Sequence, residues 1–219
     1  YAEAEHYAQH PLNGTRVAYS DKTSNTSTGT SHDIGVDLGY RFAEHHMVEL
    51  AYISNANFID SKNTTTGSSV SAQSSEGHNL LHNIGLYYTL PFGLRLNGTY
   101  TYYSSPRNQS LNGQLGADRR VVAAKSDQTI RKWLFTADQV HTLGHGWQLS
   151  YGLEWQTTNN KSYQTTLNDA GIVIPEATSE VNIDEQRFNG YIGFSKQFGK
   201  GVSLETTLAI ENYHTPQWN

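Results

Sequence analysis

Ten histidines, a spread of carboxylates and a set of strand glycines are the residues of this chain that could carry chemistry. His6, His10, His32, His78 and His214 fall at strand ends or in polar stretches. His45 and His46 share a tight reversal, His141 and His145 flank another, and His82 alone falls within a patterned segment. No two of them stand four apart around a glutamate, and the chain has no cysteine, so no zinc-binding pattern forms. The expectation is no metal and no cofactor, with the imidazoles at a wet rim.

The acids Asp33, Asp37, Glu49, Asp138, Glu154 and Glu205 alternate with apolar neighbours, and the bases Arg41, Arg95 and Arg187 do the same. They share one face of their segments, where opposite charges can neutralise one another. Nothing in these patterns fixes an acid–base geometry. The chain is therefore expected not to be an enzyme. Nor do Gly35, Gly39, Gly85, Gly152 and Gly193 cradle a phosphate, because no G-x-x-x-x-G-K-[ST] run and no following helix accompany them.

The elements that position these groups follow a period of two. In residues 32–42, Ile34, Val36, Leu38, Tyr40 and Phe42 fall on one side, and Asp33, Gly35, Asp37, Gly39 and Arg41 on the other. That alternation marks a β-strand with one apolar and one wet face. Its length matches the roughly 9–11 residues of a tilted strand crossing a bilayer. The same code recurs through Leu86, Leu96, Trp133, Phe135, Leu149, Tyr151, Leu153, Ile192, Phe194 and Leu208. These residues are read as facing lipid, and the charged set above as facing the interior of a barrel.

About ten strands are expected. Short turns at 10–14, 43–46, 91–93, 141–146 and 199–201 alternate with polar loops at 25–31, 58–77, 104–127 and 157–183. Outer-membrane barrels have short periplasmic turns and long outer loops, whereas a soluble sandwich has no reason to gather its long loops on one rim. The fold expected is all-β, an antiparallel up-and-down transmembrane β-barrel. A first turn at 10–14 on the periplasmic side would place both chain ends outside. Residues 1–219 are accordingly expected to be a segment of a larger outer-membrane barrel domain, with no second domain.

Composition narrows the partners. A net charge of -5 carries no electrostatic footprint for nucleic acid. No apolar run approaches the roughly 18 residues of a membrane helix, a test that barrel strands escape because half of each faces water.

The runs D-I-G-V-D-L-G-Y-R-F (33–42), I-G-L-Y-Y-T-L-P-F-G-L-R-L-N (84–97), W-Q-L-S-Y-G-L-E-W (147–155) and F-N-G-Y-I-G-F-S-K-Q-F (188–198) resemble hairpins of the outer-membrane β-barrel family. The likeness is to the barrel of TonB-dependent receptors and extends over nearly the whole chain. It implies a bacterial outer-membrane location and a barrel of about 22 strands with a plugged lumen. This chain would supply wall and outer loops for uptake of a scarce solute. The implied partners are outer-membrane lipid, a plug domain of the same polypeptide, the solute and, indirectly, the TonB complex. The alternatives are a small free-standing barrel acting as a passive pore or adhesin, and a hydrolase active at the rim.

Overall fold

The computed structural model describes residues 2–12, 15–43, 46–67, 70–115, 118–199 and 201–215. They form one antiparallel sheet of ten strands. In chain order these are β1 (Ala2–Leu12), β2 (Thr15–Ala43), β3 (His46–Gly67), β4 (Val70–Thr89), β5 (Arg95–Ser104), β6 (Arg107–Leu115), β7 (Asp118–Gly144), β8 (Trp147–Leu167), β9 (Ser179–Phe198) and β10 (Val202–His214). Each strand lies beside its chain neighbour, except that β5 and β6 run end to end between β4 and β7. The break between them falls at Pro106, which has no N–H to give to a ladder. Ser105 bridges the gap by donating its N–H to the Gln128 carbonyl at 2.8 Å and its hydroxyl to Asn79 Oδ1 at 2.7 Å.

The up-and-down antiparallel arrangement is the one expected, but the strands are longer. Residues 25–31 are not a loop: β2 runs unbroken for 29 residues and pairs with β3 in constant register from Asp21↔Gly67 to Arg41↔Met47. The loop expected at 58–77 is the paired ends of β3 and β4, and that at 104–127 is β6 with the start of β7. The loop expected at 157–183 shrinks to residues 168–178, where a single 3-10 turn (Pro175–Ala177) joins β8 to β9. Where both faces of a strand meet water, no apolar alternation is needed, and Ser, Thr and Asn can fill every position. The hydroxyl pairs Thr23–Thr65 (3.3 Å) and Ser74–Ser110 (2.7 Å) link facing strands in this region.

One consequence reverses an expectation. Because β2 is a single strand, the connection after Leu12 stands at the extended end of the sheet, not at the end carrying the short turns. Asn13-Gly14 itself and residues 44–45, with His45, lie outside the described residues. At the short-turn end, His145 (φ 51°) and Gly146 (φ 78°) form the tight connection between β7 and β8. A Cβ on Gly146 would stand 2.8 Å from the Gln197 carbonyl oxygen, so only glycine fits.

The sheet has no conventional interior. Among the described residues no apolar side chain is buried, and Leu38 and Leu208 expose 62% and 65% of their surface. Water would not tolerate so large a contiguous apolar face on a monomer.

Candidate functional site

The ladder registers sort side chains into two faces, since directly opposed residues of antiparallel strands point the same way. One row runs Leu38, Leu50, Leu86, Gly98, Phe135, Trp155 and Phe188 from β2 to β9. The next runs Tyr40, Val48, Tyr88, Leu96, Ala137, Leu153, Gly190 and Ile210. Ile34, Val36, Trp133, Leu149, Tyr151, Ile192, Phe194 and Leu208 occupy neighbouring rows of the same face.

Aromatic groups border this aliphatic band at both ends. Toward the extended strands, Tyr100, Trp133, Phe135 and Trp155 form a continuous stack with centroid separations of 4.5, 6.0 and 5.6 Å. Toward the short turns, Tyr40, Phe42, His46 and Tyr88 stack, and Lys196 Nζ lies 4.5 Å from the Trp147 ring centroid. Two aromatic girdles around an apolar band are what a membrane-crossing sheet presents to the two interfaces.

Three histidines are not simply solvated, as expected of a wet rim. His46 Nδ1 and the Tyr88 hydroxyl are 2.7 Å apart, His82 Nδ1 and Tyr52 hydroxyl 2.9 Å, and His141 Nε2 and Tyr151 hydroxyl 2.9 Å. Each pair sits at an edge of the apolar band, where a polar tip needs a partner that lipid cannot supply. The Tyr151 hydroxyl donates a hydrogen bond to Gln139 Oε1 at 2.8 Å, and Gln139 Nε2 donates to the Phe92 carbonyl at 2.8 Å. Gln139 is a buried polar residue that sequence reading missed. Its signal was available: it follows Trp133, Phe135 and Ala137 on the apolar side, and a glutamine there is out of place.

The opposite face carries Asp33, Asp37, Arg41, Glu49, Arg95, Asp138, Glu154, Arg187 and Glu205. The structure brings some of them together. Arg95 and Asp138 are direct cross-strand partners, with Nε donating to Oδ2 at 2.8 Å and a second, shorter contact from the guanidinium. Glu154 Oε1 accepts from Arg187 at 2.6 Å and from Asn189 at 3.1 Å. Asp33 accepts from Asn55. Asp37, Arg41, Glu49 and Glu205 form no ion pair among the described residues. Around Asp138, Glu154, Asn189, Tyr191 and Glu211 the polar face is dished, enclosing about 530 Å³. Two atoms here are out of water and unpaired: Arg187 Nε and Asn189 Oδ1. No group of three potential metal ligands forms among the described residues.

The polar-face glycines divide into two kinds. Nothing lies within 4 Å of a Cβ placed on Gly35 or Gly39. On Gly152 a Cβ would meet the Tyr191 ring at 2.6 Å and the Ala137 carbonyl at 3.0 Å, because the tyrosine of the next strand lies over the bare backbone. Replacing Gly152 with alanine therefore costs stability chiefly through Tyr191. We expect the penalty to shrink by about 1 kcal/mol in a Tyr191→Ala background, as residues in contact couple by roughly 0.5–3 kcal/mol. Equal penalties in both backgrounds, in a denaturant titration, would show that the ring does not occupy this gap.

Residues 93–216 match the outer membrane protein beta-barrel family. That stretch spans β5 to β10 and more than half of the chain. This chain belongs to the outer membrane protein beta-barrel family. It is thus a protein of the bacterial outer membrane, and its apolar band and girdles have the form that location requires. No curated protein matches it.

Proposed function

We propose that this beta-barrel chain forms wall and outer hairpins of a TonB-dependent receptor taking up a scarce solute. The observation that carries the reading is the pair of open edges. Among the described residues β1 pairs only with residues 15–25 of β2, and residues 26–43 have no strand on the side away from β3. β10 pairs with β9 alone, and β2 and β10 are not in contact among the described residues. Eight strands can close into a small barrel. These leave a gap, although each unpaired backbone group in hydrocarbon costs several kcal/mol. Further strands flanking both edges remove that cost and widen the barrel to the size that holds a plug.

In this reading the apolar face meets outer-membrane lipid and the polar face lines the lumen. Gly35 and Gly39 leave open backbone there, and Asp37, Arg41, Glu49 and Glu205 carry charges with no ion-pair partner among the described residues. These features suit contact with a plug domain of the same polypeptide, on which the TonB complex pulls from the inner membrane. The paired extensions of β2 to β4 and β6 to β8 stand outside as the ligand vestibule. No residue of the chain does covalent chemistry, and no cofactor is required.

The test is the intact mass of the native polypeptide containing residues 147–155, taken from an outer-membrane fraction. A mass several times 24.4 kDa supports a receptor with plug and complete barrel. A mass near 24.4 kDa overturns it and favours a small pore or adhesin.

A further inference from the structure

Beyond the girdle of Tyr100 and Trp133 the two faces of the extended hairpins differ in charge, although both stand in water. The outer face carries Asp60, Lys62 and Glu76 on β3 and β4, and Lys125, Asp127 and Lys161 on β7 and β8. The inner face does not. Its four cross-strand rows through Ser31, Gly29, Ser27 and Asn25 of β2 hold one charge among the described residues, Arg107. Amides and hydroxyls fill most of the other positions, among them Asn57, Asn79, Gln109, Gln128, Ser162 and Gln164. Solubility does not require this, because the other face of the same strands is charged. Asn57, Gln109 and Gln164 form no side-chain hydrogen bond among the described residues, and the two glutamines are exposed.

An apolar shelf stands at the foot of this wall. Leu81, Tyr103 and Ile130 are direct cross-strand neighbours on the inner face, and the Tyr103 ring is half-buried. Asn79 Oδ1 accepts from the Tyr103 hydroxyl at 3.4 Å and from the Ser105 hydroxyl at 2.7 Å. Those bonds hold the ring at the lower edge of the amide rows. The charges around it cancel. Asp33 and Glu185 on this face offset Lys132 and Arg107, so the described inner face has no net charge from the girdle outward to Asn25.

We propose that the solute met by this inner face is a neutral saccharide. The inference deepens the receptor reading and rests on it, since the inner face of the hairpins must line the solute's path. A pyranose has an apolar C–H face and a rim of hydroxyls, each both donor and acceptor. Tyr103 with Leu81 and Ile130 supplies an apolar platform, and each side-chain amide sets a donor beside an acceptor. A charged solute, such as an anionic metal chelate or a peptide with free termini, would shed water here without meeting a matching charge.

The experiment purifies the intact native polypeptide from outer membranes in mild detergent and titrates it calorimetrically. The probes are neutral gluco-, manno- and xylo-oligosaccharides, an acidic oligogalacturonide and a short peptide with free termini. At least one neutral oligosaccharide should bind, and neither charged probe should. Tyr103→Ala should weaken that binding roughly tenfold, and Tyr103→Phe, which keeps the ring, by less than about twofold. Glu76→Gln, on the outer face, should leave it unchanged. Failure of every neutral oligosaccharide to bind, preference for a charged probe, or equal losses from Tyr103→Ala and Glu76→Gln overturns the inference. Uptake by cells separates it from the receptor reading. Saccharide binding with uptake that persists without the TonB complex sinks the receptor and keeps the saccharide site, whereas TonB-dependent uptake of a charged solute alone does the reverse.

Discussion

Leu38→Arg should destabilise the folded, membrane-inserted protein by about 2–4 kcal/mol, while Gly39→Arg, one residue along, should change it by less than about 0.5 kcal/mol. Leu38 is the centre of the alternating set Ile34, Val36, Leu38, Tyr40 and Phe42, and it exposes 62% of its surface outward. A guanidinium there enters hydrocarbon, where it must drag water in or bend toward an interface. Gly39 faces the other way and has nothing within 4 Å of a Cβ, so the longer side chain extends into an aqueous lumen near Glu49. Size cannot account for the difference, because both variants introduce the same group. Urea-titrated folding into lipid vesicles, read by the gel shift between folded and unfolded forms, gives both values. Equal penalties would mean that the two faces of β2 do not divide lipid from water.

The contrast between those neighbours also shows how far the sequence could be read. Wherever a strand separates lipid from water its alternation is forced, and residues 32–42, 84–90 and 147–155 announced themselves. Beyond the membrane the same strands continue with water on both sides. The pairing of Thr28 with Asp60, or of Ser74 with Ser110, imposes no apolar period, so these stretches read as loops. That one misreading split β2 in two and placed the connection after Leu12 at the wrong end of the sheet. The β-branched threonines concentrated in residues 23–30 and 64–66 were a usable sign of extended backbone. At the candidate site, cross-strand partnerships such as Arg95 with Asp138 depend on register, which bulges at residues 41–43 and 142–144 adjust locally. Register between distant strands is not written in either strand alone.

Gln139→Leu tests the part of the apolar face that is not apolar, and it should cost about 2 kcal/mol despite making the sequence more hydrophobic. Gln139 is only 5% exposed, so the new methyl groups would touch protein and gain little from lipid. Two partners lose their bonds instead. The Phe92 carbonyl, in the turn joining β4 to β5, loses its tie to β7, and the Tyr151 hydroxyl loses the acceptor for its proton. Buried polar groups left unpaired cost roughly 1–3 kcal/mol each, but Tyr151 keeps His141 and so loses less than its full share. Tyr151→Phe in the Gln139→Leu background should then cost less than Tyr151→Phe alone, since the two bonds form one chain. A neutral or stabilising Gln139→Leu would mean that water reaches the Phe92 carbonyl, and the short-turn girdle would lie outside the hydrocarbon rather than at its edge.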